Sequence, residues 1–293
     1  MNSLKINAYA KINLSLDVLG TLPNGYHEVR MIMQSISLHD TLEISSADGD
    51  SIILNCDNGD LVCDNSNLII RAAKLLMQEV GKHDAINISL RKRIPMAAGL
   101  AGGSADAAAT LIGINEFMGY GLSMDALKAI GAGLGADIPF CIQGGTCLSE
   151  GIGEILTPVS PMPDCHIVLV KPPVDVSTKY VYEHLLLNDT TGHPDVTGMI
   201  DCLKRSDLAG ITEGLGNILE TVTVNAYPEI TKIKNALVKY GASGALMSGS
   251  GPTVFGLFDD ESKANDAMTR IRDEMHYSNV HLCHPVFYGT KKV

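Results

Sequence analysis

Residues 94–111 read IPMAAGLAGGSADAAATL, and this stretch decides which fold the rest of the sequence predicts. Two adjacent glycines, Gly102 and Gly103, stand directly before an alanine-rich segment with high helix propensity. Apolar and polar residues alternate over residues 86–91, which is typical of a half-buried strand. Ser104 is the predicted N-cap of the helix. The predicted order is therefore strand, glycine-rich turn and helix.

A turn of this kind has two physical interpretations. The N–H groups at a helix N-terminus and the helix dipole bind an anion without any basic side chain. Glycines allow phosphate oxygens to approach the backbone and permit positive φ angles. Small residues equally allow a helix and a strand to cross at close range. The chemistry of the stretch alone leaves both a phosphate cradle and tight packing open.

Two other phosphate-binding motifs do not explain the stretch. The sequence contains no G-x-x-x-x-G-K-[ST] pattern. A G-x-G-x-x-A pattern occurs at Gly131, Gly133 and Ala136, but a predicted helix precedes it. A dinucleotide-binding fold requires a strand at that place, so this interpretation is rejected.

Composition predicts a globular protein that does not bind nucleic acid. Hydrophobic residues make up 45% of the 293 residues and charged residues 19%, as in ordinary globular domains. The 22 basic and 33 acidic residues give a net charge of −11, which repels a polyanion. The densest basic cluster is Arg91, Lys92 and Arg93. We expect it to face solvent, with a nearby small anionic ligand as the alternative.

The sequence also predicts a cytoplasmic protein without a membrane partner. Its seven cysteines are odd in number and form no C-x-x-C pair, which is typical of reduced thiols. We recognise no signal peptide at the N-terminus. Asp106 and the glycines of the opening stretch exclude a membrane span in the least polar long window.

Predicted strands and helices mix in both halves of the chain without a detectable repeat. This mixture favours an α+β fold with two domains over a doubly wound sheet. Prolines at 158, 161 and 163 mark the expected boundary, which gives domains at 1–157 and 158–293.

The opening stretch resembles a known phosphate-binding motif. Its pattern is Pro95-x-x-x-Gly99-Leu100-x-Gly102-x-Ser104-Ala105, similar to that of the GHMP kinases, which include galactokinase, homoserine kinase and mevalonate kinase. The segments AYAKINLSLDV (residues 8–18) and GALMSGSGPTVFGLF (residues 244–258) resemble the family's other two motifs. Together the three segments span nearly the whole chain.

The resemblance implies an N-terminal ATP-binding domain, a C-terminal GHMP domain and a cleft between them. Lys11 and Asp137 match the family's catalytic pair. Alanine replaces the more common glycine at 97, 98 and 101, which reduces backbone freedom in the loop. The residues matched to the ATP loop are Pro95, Met96, Ala97, Ala98, Gly99, Leu100, Ala101, Gly102, Gly103, Ser104 and Ala105.

Segments such as KINLSLDVLGTLPNGYHEV and GADIPF are most similar to members whose small-molecule substrate carries a cytidine diphosphate. The resemblance implies that Tyr26 stacks on the cytosine and that His27 hydrogen-bonds to it. Tyr182 is the expected second stacking ring, with Tyr180 as a rival because the register is open. Asn13 is the expected polar neighbour of the reacting hydroxyl.

The implied chemistry is transfer of the γ-phosphate of ATP, with Mg²⁺, to an alcohol. A carboxylate can accept the proton of this weak nucleophile, and an ammonium keeps the carboxylate ionised and stabilises the transferring group. Ser104 is a candidate contact to phosphate or metal. The sequence leaves direct magnesium ligands and the oligomeric state open.

Two alternatives to this function are a kinase for another alcohol, such as homoserine or phosphomevalonate, and a non-catalytic metabolite sensor. The aromatic residues disfavour the first alternative, because flat rings suit a nucleobase better than an aliphatic acid. Lys11, Asp137 and the glycine-rich loop disfavour the second, because a sensor does not need catalytic groups.

Overall fold

The computed structural model describes residues 3–49, 51–187 and 192–293. Within these residues the strands form an eight-stranded sheet and a four-stranded sheet, with helices packed on both. The strands are β1 (Ser3–Thr21), β2 (His27–Ser46), β3 (Ile52–Cys56), β4 (Ile86–Arg91), β5 (Thr146–Glu150), β6 (Ile155–Pro158), β7 (His166–Lys171), β8 (Gly216–Asn217), β9 (Gly244–Met247), β10 (Val254–Phe258), β11 (Asn279–Cys283) and β12 (Thr290–Lys292).

The helices of the described residues are α1 (Leu68–Glu79), α2 (Gly102–Met118), α3 (Met124–Ala132), α4 (Ile138–Gln143), α5 (Thr178–Glu183), α6 (Val196–Lys204), α7 (Leu208–Glu213), α8 (Glu220–Ala226), α9 (Glu229–Lys239) and α10 (Glu261–Met275). Helix α1 packs through an apolar face spaced by three and four positions, as the sequence predicts, whereas α2 is buried continuously over residues 105–111. The α+β prediction is confirmed.

The first sheet is built around the long antiparallel hairpin of β1 and β2, in the order β12-β1-β2-β4-β3. The predicted turn at Asn24 and Gly25 closes this hairpin. Gly25 has φ +84°, a left-handed conformation that glycine adopts without steric cost. The Asn24 side chain accepts a hydrogen bond from the N–H of Tyr26 at 3.1 Å. The turn therefore presents Tyr26 and His27 at the end of the sheet.

The alanines of α2 allow it to lie close to the first sheet. Ala105 and residues 107–109 are fully buried, and α2 contacts both β1 and β2. A Cβ at Gly113 would lie 2.5 Å from the Ile44 side chain, so this crossing leaves no room for one. Tight packing, the alternative interpretation of the small residues, therefore applies to the body of the helix. It also applies at Gly99 in the turn, where a Cβ would lie 2.2 Å from the carbonyl oxygen of Ser248.

The second sheet has the order β11-β7-β10-β9 and packs against α9 and α10. The second half of the chain also returns to the first sheet, because β8 pairs parallel to β1 and β12 pairs antiparallel to it. The domain boundary between residues 157 and 158 remains a proposal. Over the described ranges, no helix is both long and apolar enough to cross a bilayer.

Candidate active site

A cleft of about 1,190 Å³ is lined by residues from both halves of the chain. Pockets for one small molecule usually measure about 300 to 1,000 Å³, so this cleft is larger than the usual pocket for a single ligand. The predicted site residues that line it are Lys11, Asn13, Tyr26, His27, Pro95, Met96, Ala97, Ala98, Gly99, Leu100, Ala101, Gly102, Gly103, Ser104, Asp137 and Tyr182. Ala105 was also predicted as a site residue, but it does not line the cleft. It lies in α2 and is fully buried.

The glycine-rich loop alternates into the left-handed backbone region before it enters α2. Ala97 has φ +48°, Gly99 +71° and Ala101 +56°. Helix α2 begins at Gly102 with Ala101 as N-cap, so the prediction of Ser104 as N-cap is wrong. The reason is that the left-handed turn at Ala101 starts the helix earlier and places Ser104 in its first turn. A methyl side chain accepts no hydrogen bond, so the first-turn N–H groups remain available to an anion.

A buried ion cluster lies directly under the loop. Lys92 Nζ is 2.5 Å from Asp40 Oδ2 and 2.7 Å from Asp106 Oδ2. The other oxygen of Asp40 accepts the N–H of Ile94 at 2.8 Å. The expectation that the basic trio faces solvent is therefore wrong for Lys92, which two carboxylates hold inside the protein. The cluster joins the strand that enters the loop to the helix that leaves it.

The cluster contains two carboxyl groups, Asp40 and Asp106, for the one ammonium group of Lys92. Burial raises the pKa of Asp106 well above its usual value, and the neighbouring Asp40 adds to the rise against the attraction of Lys92. In the described part of the chain, Asp106 Oδ1 has no hydrogen-bond partner. One protonated carboxyl would leave the cluster close to neutral, which suits a site that receives phosphate.

The predicted catalytic pair is brought together from distant parts of the chain. Lys11 Nζ lies 3.8 Å from Asp137 Oδ2, and it donates a hydrogen bond to Asn13 Oδ1 at 2.8 Å. Lys11 and Asn13 are two residues apart on β1 and so share one face of the strand. The Lys11 side chain is 6% exposed and that of Asp137 32%, so the carboxylate is the more accessible partner.

Local structure explains why the Asp137 carboxylate faces the cleft. Asp137 is the N-cap residue of α4 but has a helical backbone conformation, and its side chain makes no capping hydrogen bond. Pro139 in the first turn lacks an N–H group that would need a cap. The backbone N–H of Lys11 donates to the carbonyl of Leu100 at 3.2 Å, which ties the loop to the same strand. The acid, the ammonium and the loop therefore meet at one point.

An aromatic platform of His27 and Tyr182 also lines the cleft. The rings of His27 and Tyr182 are 4.9 Å apart with an interplanar angle of 38°. Tyr180 instead stacks on His184 with ring centroids 4.0 Å apart and is absent from the cleft wall, so the structure places Tyr182 there. Burial raises the pKa of Tyr182 to about 12, with a smaller contribution from Asp137, so its hydroxyl is neutral at physiological pH.

Sequence reasoning missed several residues that line the same cleft. The segment 60–68 contributes one wall between β3 and α1, and Thr178 and Leu219 contribute from the second half. Gly249 and Ser250 belong to a segment matched to a family motif, although neither was predicted individually as a site residue. Residues 57–67 are mostly polar and include a glycine, which indicates a loop. This composition does not indicate which cavity the loop lines.

The residues present fit a magnesium ion that is held mainly by phosphate. In residues 3–49, 51–187 and 192–293 there is no group of three or more His, Cys, Asp or Glu side chains that could hold a metal. Mg²⁺ commonly binds through one or two protein oxygens, several waters and substrate phosphates. Asp137 and Ser104 carry suitable oxygens in the cleft wall.

Comparison with known proteins agrees with this geometry. Residues 67–145 match the model for the GHMP kinases N terminal domain, and residues 199–276 match the model for the GHMP kinases C terminal domain. The chain belongs to the GHMP kinase family. Family membership confirms the two-domain GHMP kinase architecture and the use of ATP as phosphoryl donor.

Individual relatives are more specific. The 4-diphosphocytidyl-2-C-methyl-D-erythritol kinase of Lachnoclostridium phytofermentans is 49% identical over 267 residues, covering 91% of this chain and 92% of its own. The crystal structure of a 4-(cytidine 5'-diphospho)-2C-methyl-D-erythritol kinase has a TM-score of 0.81 and 30% identity, covering 96% of this chain and 98% of its own.

A likeness in fold alone extends further. Homoserine kinase from Cytophaga hutchinsonii has a TM-score of 0.80 at 21% identity, with 100% of this chain and 98% of its own covered. The fold therefore does not distinguish between acceptors.

Proposed function

We propose that this protein transfers the γ-phosphate of ATP to the 2-hydroxyl of 4-diphosphocytidyl-2-C-methyl-D-erythritol, a step in non-mevalonate isoprenoid precursor biosynthesis. The observation that carries the proposal is that Lys11 and Asp137 lie in one cleft with the phosphate-binding loop and the His27–Tyr182 platform. The 49% identity to a relative that bears this substrate in its name supports the choice of acceptor.

In the proposed reaction, Asp137 accepts the proton of the attacking hydroxyl. A bond forms between that oxygen and the γ-phosphorus, and the bond from the γ-phosphorus to the β,γ-bridging oxygen breaks to release ADP. General base catalysis of this kind contributes about 10²- to 10⁴-fold to the rate. Lys11, which hydrogen-bonds to Asn13 and lies 3.8 Å from Asp137, stabilises negative charge on the transferring group.

The loop of residues 95–105 holds the phosphates of the donor through backbone N–H groups at the start of α2. Positioning and charge compensation are the main needs of phosphoryl transfer. Magnesium supplies further charge compensation when bound. Ser104 is the side chain proposed to reach it.

The acceptor is proposed to lie with its cytosine on the aromatic platform. His27 and Tyr182 offer adjacent rings, and Tyr26 is 58% exposed at the mouth of the cleft. Base stacking on an aromatic side chain stabilises binding by about 1 to 3 kcal/mol. The proposed roles are stacking for Tyr26 and Tyr182 and hydrogen bonding for His27. Asn13 lies beside Lys11 and would adjoin the reacting hydroxyl.

The proposal includes a cytoplasmic location, which agrees with the seven free cysteines of the chain. The net charge of −11 repels a polyanion, so the proposal includes no nucleic-acid partner. Division into domains at residues 157 and 158 is part of the same proposal.

The test is ADP production by purified protein with magnesium and ATP. Parallel reactions receive 4-diphosphocytidyl-2-C-methyl-D-erythritol, homoserine, phosphomevalonate or no acceptor. We expect turnover with the cytidyl acceptor alone. Turnover with another acceptor would remove the proposed roles of Tyr26, His27 and Tyr182 but keep that of Asp137. An absence of turnover in all four reactions would favour a metabolite sensor.

A further inference from the structure

Asn217 lies where three segments of the active site meet. It is 7% exposed and belongs to the two-residue strand β8, which pairs with β1. The register places Asn217 opposite Leu16, which itself lines the cleft. Asn217 is thus attached to the strand that carries Lys11 and Asn13, although it comes from the second half of the chain.

The side-chain amide of Asn217 uses both donors and its acceptor. Its Nδ2 group donates to the carbonyl of Met247 at 2.9 Å and to the carbonyl of Gly249 at 2.7 Å. Its Oδ1 atom accepts the backbone N–H of Leu219 at 3.0 Å. Met247 and Gly249 are the two residues on either side of Ser248. One amide therefore fixes the peptide groups that flank this serine.

Ser248 transmits this constraint to the phosphate-binding loop. Its hydroxyl donates to the carbonyl of Gly99 at 3.0 Å. The turn is closed by a hydrogen bond from the N–H of Gly251 to the carbonyl of Ser248 at 2.9 Å. Gly249, with φ +57°, is so close to the catalytic pair that a Cβ there would lie 3.5 Å from Lys11 Nζ.

We propose that Asn217 is a positioning residue for phosphoryl transfer, which holds the turn of residues 248–251 against the phosphate-binding loop and Lys11. The inference rests on the proposed kinase function and adds a residue to it. Asn217 acts through Ser248 and Gly249 and does not contact the reacting atoms. Its amide suits the task because a carboxylate would repel both carbonyls, and an apolar side chain would leave them unpaired.

The variants Asn217→Ala and Asn217→Asp test the proposal, with Asn115→Ala as the matched control. Asn115 also uses its amide to bond backbone, donating to the carbonyl of Leu122 at 3.0 Å and accepting its N–H at 2.9 Å. Asn115 lies near the far end of α2, about 20 Å from the loop at 1.5 Å per residue. Removal of either amide should lower the melting temperature.

The deciding measurement is affinity for a non-hydrolysable ATP analogue, by calorimetry below the melting temperature. We expect a tenfold or greater loss for both Asn217 variants and a change within twofold for Asn115→Ala. In turnover, kcat should fall with the Asn217 variants while the acceptor KM stays within twofold. Affinity and kcat unchanged in Asn217→Ala, with only a lower melting temperature, would overturn the proposal.

A double-mutant cycle with Ser248→Ala separates positioning from general destabilisation. If Asn217 acts through Ser248, the double variant should lose no more affinity than the single variant that has the larger loss. Additive losses would overturn the proposal. Should Asn217→Ala fail to fold, wild-type affinity in both Asn217→Asp and Ser248→Ala would overturn it as well. Because the analogue needs no acceptor, a wild type that binds it but ignores the cytidyl substrate refutes the proposed function separately.

Discussion

Gly99 of the phosphate-binding loop and Ser248 of the second half of the chain are in direct contact across the cleft. The Ser248 hydroxyl donates to the Gly99 carbonyl at 3.0 Å, and a Cβ at Gly99 would lie 2.2 Å from the Ser248 carbonyl oxygen. Gly99 also has φ +71°, a backbone conformation that residues with a side chain rarely adopt. The two halves of the active site are therefore fitted together through backbone atoms, which cannot move aside as a flexible side chain can.

Gly99→Ala should destabilise the protein, because its methyl group meets backbone and its φ is left-handed. We expect a loss of about 2 to 4 kcal/mol in the free energy of unfolding, measured with urea. Gly103→Ala is the control, since a Cβ there would lie 3.5 Å from Leu68 in ordinary contact. Helix propensity should make that variant more stable by up to about 1 kcal/mol. Equal stabilities of the two variants would contradict the contact.

Asp137→Ala should abolish most phosphoryl transfer, because it removes the proposed base. Among the described residues, Asp137 is the carboxylate that lies within 4 Å of Lys11 Nζ. We expect kcat to fall by about 10² or more, while affinity for an ATP analogue stays within severalfold. Steady-state kinetics and calorimetry measure the two quantities. Turnover close to that of the wild type, or a loss of turnover explained entirely by lost ATP binding, would refute the role of Asp137 as the base.

Tyr182→Leu should raise the acceptor KM, because leucine cannot provide a flat ring beside His27. A tenfold increase corresponds to about 1.4 kcal/mol of lost stacking, within the usual range for a base on an aromatic ring. The ATP KM should not change. Tyr180→Leu is the matched control, since that ring stacks on His184 outside the cleft. If both variants raise the acceptor KM equally, Tyr182 has no special contact.

His27→Ala should also raise the acceptor KM while leaving the ATP KM close to that of the wild type. The imidazole of His27 lies in the cleft wall at 4.9 Å from the ring of Tyr182. Loss of the ring removes both a polar contact and one side of the platform. An unchanged acceptor KM in initial-rate measurements would remove His27 from the proposed cytosine site.

Asp106→Asn should change how stability depends on pH. The pKa of Asp106 is raised in the folded state, so its contribution to stability is full below about pH 4, the unfolded pKa, and is lost as pH rises through the folded pKa. Asparagine does not titrate. The free energy of unfolding of the wild type, relative to Asp106→Asn, should therefore decline with rising pH in urea titrations. A relative increase with pH would show that pairing with Lys92 dominates over burial.

The sequence predicted the parts of the site that depend on local patterns. The strand, glycine-rich turn and helix of residues 86–118 are present, as is the turn at Asn24 and Gly25. Residues Lys11 and Asp137 were paired through family motifs, and the structure brings them together. Motifs succeed here because backbone conformation and small size at a few positions determine the local geometry.

The remaining features depend on contacts between distant segments. Lys92 is buried because Asp40 and Asp106 reach it from two other elements, which a local charge pattern does not reveal. Ala101 adopts a left-handed conformation that alanine seldom takes. Because serine is a much more common N-cap residue than alanine, the sequence predicts Ser104 at that position. The role of Asn217 rests on β8, a strand too short to leave a pattern.

The most direct test of the account is phosphorus NMR of the product that wild-type protein forms from magnesium, ATP and 4-diphosphocytidyl-2-C-methyl-D-erythritol. We predict a new phosphomonoester signal on the acceptor, equal in amount to the ADP formed, with the diphosphate signals of the cytidyl group intact. Free phosphate in place of the phosphomonoester, or a cleaved diphosphate, would contradict transfer to the acceptor hydroxyl.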